Sequence, residues 1–206
     1  MANPDAAPPL RADARRNRDA ILTAAREVFA SDGLSAPLDR IAKLADVGRA
    51  TLYRRFPTRE DLVRAIFQDN IEELQAIANE LGDAPEAFWL ILEAAVQQQR
   101  DNLGLVELFT RPPAPSASPS VGLADVRLPW SELIAGPLER AQRAGVVRPD
   151  LDPSDTGALL LMMGAMSSAV RYRDDADDRI TRTLTLLRDA LDPTGGPREL
   201  VPAGLA

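Results

Sequence analysis

Asp39 to Phe56 reads DRIAKLADVGRATLYRRF, and this stretch decides how the chain is understood. It packs five basic side chains, Arg40, Lys43, Arg49, Arg54 and Arg55, into eighteen residues of a chain that carries 31 carboxylates against 24 basic groups. Leu38, Ile41, Ala42 and Ala45 fall on one face of a short helix, Asp46-Val47-Gly48 reads as a turn, and Arg49 to Phe56 reads as a second helix. Two short helices joined by a three-residue turn form a helix-turn-helix. Ala42 and Ala45 are small enough to let the helices cross, while Ile41, Val47 and Leu52 serve as apolar anchors. Arg49, Ala50, Thr51, Tyr53, Arg54 and Arg55 are left to project into a major groove.

A solvated charged helix lying on a core would use the same spacing. Three features favour nucleic acid instead. The exposed face is basic in an acidic chain. Tyr53 stands among arginines, where a hydroxyl can reach a phosphate. Pro57 breaks the helix, and Thr58-Arg59 opens the next one, whose first-turn amides and dipole suit an anion. The charge of the chain is divided accordingly. Residues 1–57 hold ten basic and seven acidic groups, net +3; the remainder holds fourteen and twenty-four, net −10. The first segment suits a polyanion, and the acidic remainder limits non-specific adhesion to it.

Outward from this stretch the periodicity is helical throughout, and an all-α fold is expected. Residues 1–12 are rich in Ala and Pro and are expected to be a disordered tail. A first helix from about Arg15 to Ser31 ends at Gly33. A long fourth helix starts at a Thr58–Asp61 capping box and closes at Gly82. A second box, Asp83 to Glu86, is expected to open a helix carrying Phe88, Trp89, Leu92 and Val96. A short helical piece over Leu105–Phe109 and a flexible loop, RPPAPSASPS, follow. Trp130 to Ala144 reads as a helix bent or interrupted near Pro137. Asp152-Pro153 caps a very apolar helix to about Tyr172, and the last helix runs from about Ala176 to Leu191. The expected boundaries are 13–57 for a helix-turn-helix domain, with the motif at about 36–55, then 58–192 for a larger helical domain, and 193–206 for a flexible tail.

Several function classes lose their usual residues. The chain has no cysteine and no histidine, so it lacks the commonest nucleophile-base pairs and metal ligands. No catalytic residue, metal or cofactor is expected. The N-terminal stretch lacks the apolar core of a signal peptide, and GALLLMMGAMSSAV (157–170) is too short to span a bilayer. A cytoplasmic protein that does not enter the membrane is expected.

The segment VFASDGL…LDRIAKLADVGRATLYRRFPTREDLVRAIF resembles the DNA-binding domain of TetR-family transcriptional repressors over about residues 14–72. The helix-one Phe and Gly, the Ile-Ala pair, the TLYRRF core and the REDL start of the fourth helix all keep family spacing. The resemblance implies an N-terminal three-helix DNA-binding domain on a larger helical ligand-binding and dimerisation domain. By position, Tyr53, Arg55, Thr58 and Arg59 match the family's phosphate contacts, and Arg49, Ala50, Thr51 and Arg54 match its base-reading face. The sequence also departs from the pattern. Asp46 and Gly48 replace the usual Gly and Ser of the turn, Pro37 stands at a capping threonine position, and Arg55 and Arg59 replace a frequent His and Lys.

The remaining two-thirds would supply dimerisation and a pocket. The helix at 153–171 is apolar almost all round, and with the Ile180–Leu184–Leu187–Leu191 stripe it suggests a homodimer interface, although a purely intramolecular core would use the same residues. A pocket for a small apolar or amphipathic effector would draw on Phe88, Trp89, Leu92, Val96, Phe109, Trp130, Met162, Met163 and Met166, residue types that serve more often as core. The expected partners are a palindromic double-stranded DNA operator, a small-molecule effector and a second copy of the chain. Two other readings compete: a helical adaptor for protein partners, and an enzyme built on carboxylates such as Glu93 and Glu107.

Overall fold

A computed structural model describes residues 9–101, 123–170 and 172–195. Among these residues all regular structure is helical: α1 (Pro9–Asp32), α2 (Leu38–Leu44), α3 (Arg49–Arg55), α4 (Arg59–Leu81), α5 (Ala87–Asp101), α6 (Leu123–Arg143), α7 (Pro153–Val170) and α8 (Ala176–Leu191), with a 3-10 turn at Pro193–Gly195. The all-α expectation is borne out. The chain divides into two compact units, and the division falls inside α4 at Gln68/Asp69. Phe109, the 105–109 helix and the proline-rich loop lie outside the described residues.

In the first unit, Ile21, Leu22, Ala25, Val28 and Phe29 of α1 are buried against Ile41 and Ala42 of α2, Leu52 and Phe56 around α3, and Leu62, Val63 and Ile66 of α4. Leu52 is the one fully buried residue of α3. Its burial contributes roughly 1.5–3 kcal/mol towards holding that seven-residue helix in place. The turn between α2 and α3 is a Schellman motif. Val47 N–H donates to Ala42 C=O at 3.0 Å and Asp46 N–H to Lys43 C=O at 3.3 Å, with Asp46 left-handed at φ 51°. Neither Pro37 nor Gly48 gives a side-chain cap, so α2 and α3 both start without one. The box at the head of α4 is complete: Asp61 N–H donates to Thr58 Oγ1 at 3.1 Å, and Thr58 N–H to Asp61 Oδ2 at 3.1 Å.

In the second unit, Leu74 and Ala78 of α4, Phe88, Trp89, Ile91, Leu92 and Val96 of α5, Trp130, Ile134, Leu138 and Ala141 of α6, Leu160 and Met163 of α7, and Ile180 and Leu191 of α8 form one core. Asp152 caps α7 as expected: its Oδ1 accepts the Ser154 N–H at 2.8 Å, and its own N–H donates to Asp155 Oδ2 at 2.9 Å. Gly145 closes α6 in a second Schellman motif, at φ 68°.

Three expectations are corrected. α1 begins at Pro9, inside the segment expected to be a tail, because proline fits a first helical turn that needs no N–H. α6 begins at Leu123 rather than Trp130, and it continues without interruption through Pro129 and through Pro137, near which a bend or interruption was expected. The buried stripe Trp130, Leu133, Ile134, Leu138 and Ala141 offsets the roughly 3 kcal/mol that each internal proline costs. The Asp83–Glu86 box is not the start of α5, which begins at Ala87; Asp83 sits instead 3.6 Å from Arg140 Nε.

Candidate nucleic-acid interface and effector cleft

α3 exposes Arg49, Ala50, Tyr53, Arg54 and Arg55, with Tyr53 41% exposed and Thr51 half-buried. Leu52 inward and these residues outward give the helix one anchored and one solvent face. The ion pairs described in this unit engage Arg16, Arg18, Arg40, Arg49 and Arg64, and leave Arg54 and Arg55 to face water. Thr51, Arg54 and Arg55 also line a cleft of about 320 Å³ shared with Ala14 and Asn17 of α1. Sequence reasoning did not place α1 beside this face, since nothing local marks a contact across more than thirty residues.

Two of the expected phosphate contacts are occupied inside the unit. The Arg59 guanidinium donates to the Leu34 carbonyl and lies 5.8 Å from the centre of the Phe29 ring. It therefore ties the head of α4 to the loop after α1. The Thr58 hydroxyl donates to Asp61 Oδ2 at 2.7 Å, and this bond is the chief cause that holds the Asp61 carboxyl below its usual range. Arg49 lies with Nε 2.8 Å from Asp39 Oδ1 of α2.

In the second unit the candidate pocket side chains are mostly packed. Phe88 and Trp89 meet edge to face at 5.0 Å, and with Leu92, Val96, Trp130 and Met163 they are buried. Trp130 Nε1 donates to Thr156 Oγ1 at 2.8 Å. Met166 is half-buried, and Met162 is 68% exposed, so it lies on the outer face of α7. A cleft of about 380 Å³ lies instead between α5 and α8, and of the expected pocket residues it includes Val96 alone. Its apolar side is Val96, Ile180 and Leu184; Glu93, Gln97, Arg100, Thr181, Thr185 and Arg188 are polar. Arg188 lies over the Trp89 ring at 5.0 Å, and Trp89 Nε1 is buried without a hydrogen-bond partner. Arg100 pairs with Asp177, and Gln98 ties α5 to α4 through Asn70 C=O and Glu73. No group of acids among the described residues is arranged to hold a metal, and no described helix is long and apolar enough to cross a membrane.

Comparison with known proteins agrees with both units. Residues 21–66 match the family described as bacterial regulatory proteins, tetR family, and residues 83–193 match the C-terminal domain of SbtR-like transcriptional regulators. The chain is 28% identical over 156 residues to the HTH-type transcriptional regulator UidR of Escherichia coli strain K12, covering 74% of this chain and 80% of that protein. The crystal structure of the TetR transcriptional regulator SCO0520 from Streptomyces coelicolor is 33% identical, with a TM-score of 0.64, covering 86% of this chain and 99% of that one. A crystal structure described as a gamma-butyrolactone receptor (ArpA-like protein) shares the fold at 22% identity and a TM-score of 0.56, covering 89% and 92%. The helix-turn-helix around α3 and the helical second unit thus belong to a DNA-binding transcriptional regulator rather than an enzyme, and the chain is a member of the TetR family.

Proposed function

We propose that the protein is a cytoplasmic repressor that binds a palindromic operator as a homodimer and leaves it when a small amphipathic effector occupies the second unit. The observation that carries the DNA half is the face of α3: Arg49, Ala50, Tyr53, Arg54 and Arg55 outward, fixed by Leu52 inward. Arg49 and Arg54 suit guanine, Ala50 a thymine methyl, and Tyr53 and Arg55 phosphate. With Arg59 and Thr58 engaged internally, the α4 end contributes through its first-turn amides rather than those side chains.

The dimer rests on α7 and α8. Ala158, Met162, Ala165, Ala169 and Tyr172 are exposed at spacings of four and three, and Leu186 of α8 is exposed as well. Such a stripe is unfavourable in water and suits a helix-on-helix interface. Two-fold pairing also supplies the second recognition helix that one short helix needs.

The α5–α8 cleft is the effector site favoured here, with an apolar side for a hydrocarbon part and arginines and threonines for a polar head. The receptor fold shared with this chain supports such a use of the second unit. Coupling would run through α4, the helix common to both units, and would have to be reciprocal: operator weakens effector binding by the factor by which effector weakens operator binding. A gel shift on DNA flanking the gene, challenged with excess random DNA, tests the reading. Retention of a discrete complex is expected, and equal competition by random DNA would refute it.

A further inference from the structure

We infer that Asp39 sets the DNA specificity of the protein by holding Arg49 in place for base reading, while repelling phosphate that is not part of the correct site. The inference rests on the reading of α3 as the recognition helix. Arg49 opens α3, and Asp39 lies in the first turn of α2. Arg49 Nε stands 2.8 Å from Asp39 Oδ1, with side chains 70% and 45% exposed.

A guanidinium has five donors in a planar fork. The contact with Asp39 occupies the Nε side and leaves both terminal nitrogens for guanine O6 and N7, the commonest specific base contact. Asp39 Oδ1 is shielded from water and accepts no aligned hydrogen bond. The pair is therefore held by charge. It biases the guanidinium towards this place and leaves it free to turn to its final angle against the base. An exposed pair of this kind contributes little to stability. Its consequence lies in position: an arginine held before binding loses less side-chain freedom at the interface.

The carboxylate has a second effect. Among the residues around α3 it places a negative charge beside a surface that must approach a polyanion. Any DNA, specific or not, meets that repulsion, but only a site with the right base gains the contact from the positioned Arg49. Removing the charge should therefore help random DNA more than the operator. Arg54 and Arg55, which face water without a described ion pair, carry no such filter.

The test measures affinity for the operator, for operators varied base by base, and for random duplex, using the full chain and Asp39→Ala, Asp39→Asn, Arg49→Ala and the Asp39→Ala/Arg49→Ala double variant. Melting of each variant confirms folding. For Asp39→Ala the ratio of operator to random affinity should fall about tenfold, about 1.4 kcal/mol, with random DNA bound more tightly and preference weakened at one base position in each half-site. Asp39→Asn should lose the repulsion and most of the preference. In the Arg49→Ala background the Asp39 change should no longer alter base preference. If Asp39→Ala tightens operator and random DNA equally and leaves base preference intact, Asp39 is only a repelling charge and the inference is overturned. If Arg49→Ala itself leaves base preference unchanged, the assignment of the recognition face fails, and the inference with it.

Discussion

Thr156→Val is the substitution whose cost the structure defines most closely. Thr156 is fully buried at the start of α7, and its hydroxyl accepts the Trp130 Nε1–H at 2.8 Å while donating to the Pro153 carbonyl at 2.6 Å. Valine keeps the branching at Cβ and nearly the same shape, so helix propensity changes little, but it lacks the hydroxyl. What changes is that the indole N–H, on a side chain only 4% exposed, has no partner. Stranding a buried donor costs about 1–3 kcal/mol, and the added methyl returns part of that, so the net loss expected is about 1–2 kcal/mol. Trp130→Phe removes the donor together with much buried area and should cost more alone. In the double variant the two losses should fall short of their sum by about 1 kcal/mol, because the bond can be lost only once. Urea denaturation followed by circular dichroism measures both through the midpoint at constant slope. Thr156→Val as stable as the parent, or strictly additive losses, would refute the claim that this bond joins α6 to α7.

Other outcomes follow from single contacts. Asp46→Val, which forces a branched side chain to φ 51°, should lose about 1–2 kcal/mol, whereas Asp46→Gly should stay within about 0.5 kcal/mol of the parent; thermal melting compares them. Gly48→Ser places a Cβ no nearer than 3.9 Å to Thr51 Oγ1 and restores a helix cap, so it should raise stability by a few tenths of a kcal/mol in the same assay. Arg173, and after it Arg179, hold the Asp175 carboxyl down at about 2. Because that is below the unfolded value, its contribution is complete above about pH 4 and is lost as pH falls towards about 2, so Asp175→Asn should make the melting temperature fall less across that window. Met162→Glu, on the exposed stripe of α7, should give a folded monomer by light scattering, whereas the parent should give a dimer.

The parts of the fold legible in the sequence are those decided within a few residues. The Thr58–Asp61 and Asp152–Asp155 caps, the Gly145 stop and the span of α8 each follow from a cap, a breaker or a stripe close at hand. Local signals misled where a buried face outweighed them. The helix was expected to begin at Trp130, yet the apolar stripe of α6 carries it from Leu123 through Pro129 and Pro137. α7 is apolar nearly all round, so its sequence holds no period to say that Met163 is buried while Met162 is exposed.

The candidate site divides in the same way. The outward face of α3 could be read because Leu52 and Val47 had to turn inward. The partners of its neighbours could not be read, since Arg59 meets the Leu34 carbonyl from 25 positions away and Arg49 meets Asp39 across a turn. The α5–α8 cleft was missed for a related reason. The candidate pocket side chains Phe88, Trp89, Trp130 and Met163 fill the core while Met162 faces outward, and the space left beside the core is bordered by arginine, threonine and glutamine.

In the proposed two-fold complex, α3 reads base sequence through Arg49 and Arg54. Selection of bound duplexes from a random library, with the parent chain and with Arg54→Ala, tests it most directly. The parent should enrich a palindrome with half-site centres about 34–36 Å apart, or a multiple of that, and Arg54→Ala should lose the preference at one base position, symmetrically in both halves. An unchanged motif with Arg54→Ala, or enrichment of no motif by the parent chain, would contradict it.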